Sequence, residues 1–168
     1  MKKENITGAE DRFTGLKPSE LNEQEKQSIV TLATKVLAFK FRAGRALSSP
    51  EETRTYLRLK LAGYRNEVFG SLFLDNRHRV IALRELFQGT IDGASVHPRV
   101  VVQQALDVNA AAMVVFHNHP SGVAEPSRAD EMLTRRLCEA LALVDVRVLD
   151  HFVVSGGESV SFAERGLI

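Results

Sequence analysis

The chain passes from a buried strand to a helix within one segment, Phe116-His117-Asn118-His119-Pro120-Ser121-Gly122-Val123-Ala124-Glu125-Pro126-Ser127-Arg128-Ala129-Asp130. The apolar run 111–116 predicts a short buried strand. Two prolines and a glycine then favour a loop with one fixed course over residues 118–127. A helix is predicted from Arg128 to about Leu143. This alternation of strand and helix is typical of α/β proteins.

The rest of the chain continues the alternation on both sides of this segment. Helices are predicted from Leu21 to about Ala46, from Pro50 to about Leu61 and from Pro98 to about Val108, and strands over 68–74, 80–83 and 146–154. The sequence therefore predicts the α/β class, with one sheet flanked by helices. We expect two parts: residues 1–45 form an N-terminal arm and helix, and residues 46–168 form the domain.

Composition places the chain among ordinary globular proteins. Apolar residues make up 44% of the 168 residues and charged residues 26%, which suits one compact domain with a real core. The single cysteine, Cys138, excludes an internal disulfide and a cysteine-based zinc cluster. No apolar run approaches the roughly 18 residues that span a bilayer, and the start has no apolar signal core. These features predict a cytoplasmic protein without a membrane partner.

Charge is distributed unevenly along the chain. The stretch Lys35–Arg65 contains eight basic residues and two acidic ones, Glu51 and Glu52. Such a stretch is usually the solvated face of a helix, but it also suits phosphate groups or an acidic partner. DNA association through Lys35–Arg65 is therefore one hypothesis.

Two histidines and an aspartate suggest a metal site. Side chains two residues apart on an extended chain point the same way, so His117 and His119 can direct both imidazoles at one point. Asp130 can add a carboxylate if the loop folds back over the strand end, which completes a normal ligand set for catalytic zinc. Ser127 and Asp130 also fit a helix capping box. Spacing alone does not separate the two roles.

Six motifs in order resemble one family. They are Phe87-Gln88-Gly89-Thr90, Val96-His97-Pro98-Arg99, His117-Asn118-His119-Pro120-Ser121-Gly122, Pro126-Ser127 with Asp130, Leu149-Asp150-His151, and Ser161-Phe162-Ala163-Glu164-Arg165-Gly166. The His-x-His-Pro pattern followed by Ser127 and Asp130 resembles the JAMM (MPN-type) metalloprotease signature. The whole set resembles the RadC branch of that family, and the resemblance covers about residues 46–168.

The resemblance implies a fold, a cofactor and a set of roles. The fold would be a single MPN domain, similar to cytidine deaminases, with a mixed β-sheet flanked by helices. One Zn²⁺ per chain would be held by His117, His119 and Asp130. Glu67 would be the general base, and Ser127 would help to stabilise the oxyanion. The implied activity is that of a zinc-dependent metallopeptidase or isopeptidase with a peptide or protein substrate.

Two departures from the family pattern limit what carries over. Many JAMM proteases have Ser or Thr between the histidines, whereas Asn118 stands here, as in the RadC branch, so their isopeptide substrates do not transfer directly. The first 45 residues are too few for the N-terminal helix-hairpin-helix region of full-length RadC-like proteins, so the chain resembles a short, prophage-like form. A non-catalytic binding module of the same fold is a further alternative, and the oligomeric state, a homo-oligomer included, stays open.

The dipeptide Asp150-His151 also belongs to the family pattern. Two roles suit a carboxylate next to an imidazole: a layer behind the metal ligands, or a structural hydrogen-bonding pair. The sequence does not decide between them.

Overall fold

The computed structural model describes residues 13–47, 49–89 and 95–168. Its strands are β1 Val68–Leu74, β2 Val80–Gln88, β3 Ala112–Asn118, β4 Arg147–Val154 and β5 Ser159–Ser161. Its α-helices are α1 Glu23–Ala38, α2 Pro50–Leu61, α3 Pro98–Asp107 and α4 Arg128–Ala142, and a 3₁₀ turn covers Pro18–Glu20. Residues 1–12 of the predicted N-terminal arm and the Thr90 position in the first motif lie outside the described residues.

The strands form one mixed sheet in the order β2-β1-β3-β4-β5. β1 pairs antiparallel with both β2 and β3, β3 pairs parallel with β4, and β4 pairs antiparallel with β5. The predicted α/β class and mixed sheet are confirmed. Every residue of β1 and β3 is buried, which explains why these strands are nearly continuous apolar runs rather than alternating ones.

Each face of the sheet has its own core. On one face, Leu72, Val114 and Phe152 pack with Tyr56 and Leu57 of α2. The other core contains Phe69, Phe73, Met113 and Val115 of the sheet, Val101 and Ala105 of α3, and Leu137 and Leu141 of α4. Because side chains alternate along a strand, the two histidines that follow Val115 at even spacing belong to the α4 side.

The helix predicted to run to Ala46 is wrong beyond Ala38, where α1 ends. The chain then folds onto the domain, because Phe41 is buried and its ring stacks on Tyr56 at 4.3 Å. Ala46 forms a β-bridge with Arg79. Residues 41–47 therefore pack with the domain, while the division at residue 45 stays a prediction.

Apart from β2 and β5, the other elements begin and end close to the predicted positions. Ser49 caps α2, its hydroxyl accepting from the Glu52 N–H at 3.1 Å. The strand predicted over 80–83 continues to Gln88, and β5 was not predicted because three residues are too few to show a period.

In the described ranges, none of the helices has the length and apolar character needed to cross a membrane.

Gly70 provides a test of the packing at the centre of the sheet. A Cβ atom at this position would lie 2.4 Å from Phe116 Cζ and 2.7 Å from the Arg84 carbonyl oxygen. Gly70→Ala should therefore lower the free energy of unfolding by about 1–3 kcal/mol through overpacking. Urea unfolding followed by circular dichroism measures the change.

The matched control is Gly63→Ala, since a Cβ there would meet nothing within 4 Å. This variant should stay within about 0.5 kcal/mol of the wild type. Equal stability of the two variants would contradict the described contact between Gly70 and Phe116.

Candidate metal centre

The three predicted ligands meet at one point beside α4. Ligand atoms of His117, His119 and Asp130 all lie within 4.8 Å of one another. The two Nε2 atoms are 2.9 Å apart. The carboxylate oxygens of Asp130 lie 3.4 Å from His117 Nε2 and 3.6 Å from His119 Nε2. Among the described residues, no other group of three or more His, Cys, Asp or Glu side chains has metal-ligand spacing.

The backbone brings the two histidines to the same place. His117 is in β3 and only 1% exposed, on the side of the sheet that faces α4. His119 lies just past the strand end, where its N–H still donates to the Val154 carbonyl at 2.8 Å. The loop then turns through Gly122, whose φ of 92° is unfavourable for other residues. The Val123 carbonyl thereby reaches 2.9 Å from His119 Nδ1.

Asp130 has both of the roles that the sequence left open. Ser127 caps α4, with the Asp130 N–H donating to its hydroxyl at 3.2 Å. The Ser127 N–H and hydroxyl both donate to Asp130 Oδ2 at 2.7 Å. The capping box therefore fixes the carboxylate and leaves Oδ1 directed at His117. The Ser127 hydroxyl hydrogen is used on Asp130, so oxyanion stabilisation by Ser127 would require that hydroxyl to rotate.

Electrostatics favour the metal-binding forms of His117 and Asp130, but not that of His119. Burial lowers the pKa of His117 to about 4, although Asp130 opposes the effect. The Asp130 carboxylate raises the pKa of the half-buried His119. Burial alone would raise the pKa of Asp130, but His119, His117 and Ser127 together hold it well below its ordinary value. A neutral imidazole beside an ionised carboxylate is the state that binds a cation.

The arrangement fits a divalent metal ion. A carbonyl oxygen only accepts, so His119 donates from Nδ1 to Val123 and its Nε2 carries the lone pair. His117 Nε2 lies beside it, next to a carboxylate oxygen. Two imidazole nitrogens and one carboxylate oxygen are a normal protein ligand set with a position left for water. His117, His119 and Asp130 would hold the ion.

Glu67 lies on the wall of the same cleft. The cleft measures about 320 Å³, and its lining includes Glu67, Phe69, Val96, His117, Asp130 and Leu133. Glu67 precedes β1, in which Phe69 pairs with His117 of β3. Directly opposed side chains share a face of the sheet, and so do side chains two residues apart, which directs Glu67 toward the histidines. Its negative charge also raises the pKa of His119.

Asn118 is a site residue whose role was missed from the sequence. Its side-chain oxygen accepts from the Val68 N–H at 2.7 Å, and its amide nitrogen donates to the Asn66 carbonyl at 3.1 Å. These two bonds bracket Glu67 on both sides and join the start of β1 to the end of β3. The departure from the Ser or Thr of many JAMM proteases therefore has a structural purpose: Asn118 positions the backbone of Glu67.

The Asp150-His151 pair is not held together by a ring–carboxylate bond. Asp150 accepts from its neighbour's backbone N–H, from the Ser161 hydroxyl at 2.6 Å and from the Ala163 N–H at 3.0 Å. The His151 ring instead lies 2.8 Å from His117 Nδ1 and 2.6 Å from Thr134 Oγ1. Of the two roles that the sequence left open, His151 has the one behind the metal ligands, whereas the Asp150 carboxylate bonds away from the site, because successive residues of β4 face opposite sides of the sheet.

Half of the eight basic residues in this stretch contact acceptors within the protein. Lys40 contacts Glu52, Arg54 contacts Glu51 and Glu164, and Lys60 contacts Glu85 at 2.6 Å. Arg58 donates to the Gly157 carbonyl. DNA association through Lys35–Arg65 stays a prediction, and these four cations have protein partners already.

Comparison with known proteins agrees with the geometry. Residues 47–167 match the RadC-like JAB domain. UPF0758 proteins of Thioalkalivibrio sulfidiphilus and Nitrosomonas eutropha are 62% and 55% identical over 84% and 94% of the chain. The matched regions span 63% and 69% of these relatives, about two-thirds of their length. Since the domain match takes in the whole metal centre and well over half of the sequence, the chain belongs to the RadC family.

Proposed function

We propose that the protein is a zinc-dependent hydrolase that cleaves an amide bond in a peptide or isopeptide substrate. The observation that carries the proposal is the convergence of His117, His119 and Asp130 at one point, where His117 and Asp130 line a cleft that also contains Glu67. Such a donor set leaves a coordination position open, as catalytic zinc sites do and structural ones do not. A binding module of the same fold would need none of these four side chains.

The roles of the residues follow from their positions. A bound zinc ion would lower the pKa of a water molecule from ~15.7 to about 7 and polarise the substrate carbonyl. Glu67 accepts the proton from the attacking water and passes it to the amine leaving group. Asn118 fixes the backbone on both sides of Glu67. Phe69, Val96 and Leu133 give the cleft apolar walls, and Arg136 adds a cation to its lining.

Metal content provides the first test of this function. Purified protein should contain about one zinc per chain, because three ligands with a fourth position open bind a single ion. His117→Ala, His119→Ala and Asp130→Ala should each lose it, as measured by inductively coupled plasma mass spectrometry. His78→Asn is the matched control, since His78 is an exposed turn residue with a φ of 55°, which asparagine tolerates.

Helix capping complicates the Asp130 variant and needs its own control. Ser127→Ala removes the same cap without removing a ligand, and such changes cost typically ~1 kcal/mol. It should lower the melting temperature while most of the zinc stays bound. Near-stoichiometric zinc in all three ligand variants would rule out the assigned site.

The second prediction separates catalysis from metal binding. Glu67→Gln should keep the zinc content and the melting temperature, because three other side chains hold the ion. Hydrolysis should fall by about 10²–10⁴-fold, the usual contribution of a general base. Quenched fluorescent peptides and lysine-linked isopeptides provide the assay. Glu125→Gln is the control, since Glu125 is an exposed carboxylate paired with Arg165 at 2.6 Å.

Two results would contradict the role of Glu67. Loss of zinc from Glu67→Gln would make Glu67 a ligand rather than a base. Turnover close to that of Glu125→Gln would show that Glu67 takes no part in proton transfer.

A further inference from the structure

A continuous line of buried hydrogen bonds runs behind the metal centre. His117 Nδ1 lies 2.8 Å from His151 Nε2, and His151 Nδ1 lies 2.6 Å from Thr134 Oγ1. The Thr134 hydroxyl is in turn 2.7 Å from the Asp130 carbonyl oxygen. His117, His151 and Thr134 are each at most 1% exposed. The line therefore begins on one candidate ligand and ends on the backbone of another, and it crosses β3, β4 and α4.

The direction of each hydrogen bond follows from the acceptor at the end of the line, the Asp130 carbonyl oxygen. A carbonyl oxygen cannot donate, so the single hydroxyl hydrogen of Thr134 points to Asp130. Thr134 Oγ1 must then accept from His151, which places the ring hydrogen of His151 on Nδ1. The Nε2 atom of a neutral His151 is consequently an acceptor, and His117 donates to it from Nδ1. His117 is left with the lone pair of Nε2 directed into the cleft.

We propose that Thr134 and His151 are positioning residues that hold His117 in its metal-binding tautomer and orientation. The inference rests on the metal-dependent function proposed above. The Val123 carbonyl fixes the tautomer of His119 in the same way, by accepting from its Nδ1–H. When both rings are neutral, two backbone carbonyls thereby direct two Nε2 lone pairs at each other across 2.9 Å. A cation between them relieves the repulsion, so the hydrogen bonds prepare the site before the ion arrives.

The surroundings of His151 show that packing alone does not require an imidazole there. Its ring stacks on Phe162 at 4.6 Å and meets the edge of Phe69 at 5.8 Å. Another aromatic ring could make these ring contacts, but it would leave His117 and Thr134 without their hydrogen-bond partner. Both ring nitrogens of His151 are needed, because one donates to the Thr134 hydroxyl and the other accepts from His117.

Tautomers can be observed directly in metal-free protein. Chelator-treated protein labelled with ¹⁵N-histidine gives two-bond ¹⁵N–¹H correlations that separate the two neutral forms of each ring. His117, His119 and His151 should all carry the hydrogen on Nδ1. An Nε2–H form of His151 or His117 would overturn the proposal, whatever the protein does with metal.

Zinc affinity tests the consequence of the hydrogen bonds. Thr134→Val has the shape of threonine without its hydroxyl, and His151→Phe keeps a ring without nitrogens. Both should bind zinc about 10–100-fold more weakly, the usual effect of removing a partner behind a ligand. Thr134→Ser keeps the hydroxyl and should restore affinity to nearly that of the wild type. A chromophoric chelator in competition measures the dissociation constants, and melting temperatures of the metal-free variants show that they are folded.

The matched control is Thr31→Val, because Thr31 makes the same bond to a carbonyl four residues back, on Gln27 of α1. Its zinc affinity should equal that of the wild type. Folded Thr134→Val with wild-type affinity would overturn the positioning role alone and leave the proposed function standing. Absence of zinc binding by the wild-type protein would defeat the proposed function, and the positioning role with it.

Discussion

The pairing of β3 on both of its edges is the constraint on which the metal centre depends. β3 is antiparallel to β1 and parallel to β4, and all seven of its residues are buried. A strand held on both edges and buried on both faces cannot slip by one residue without exchanging its two sets of side chains. The register therefore places His117 opposite Phe69 and next to Val153. Glu67 and His151 are brought to the site by the same register.

Burial and charge act differently on the three ligands, and the differences complement one another. His117 is deeply buried and stays neutral, with a pKa lowered to about 4 by desolvation. Asp130 is less buried and receives two hydrogen bonds from Ser127, which favour its ionised form. His117 therefore needs no deprotonation before it binds a metal ion, and Asp130 beside it already carries a negative charge. At these two ligands, metal binding then competes with few protons, whereas the raised pKa of His119 favours a proton that the ion has to displace.

Several side chains stabilise the fold and shape the site at the same time. Ser127 caps α4 and orients Asp130. Asn118 joins two strands and fixes the backbone beside Glu67. Thr134 bonds within α4 and to His151. Because groups that share partners do not contribute additively, stability and metal binding must be measured side by side for substitutions at these positions.

The sequence by itself determined the class of fold, most element positions and the three candidate ligands. Apolar periodicity marked β1, β3 and α4, and the His-x-His spacing placed two imidazoles on one side of a strand, both of which are local properties of the chain. Only the tertiary structure decided which groups stand behind the ligands. Thr134 and His151 are 17 residues apart, and their meeting depends on how α4 packs on β4. The premature end of α1 has the same origin, because burial of Phe41 against Tyr56 outweighs local helix propensity.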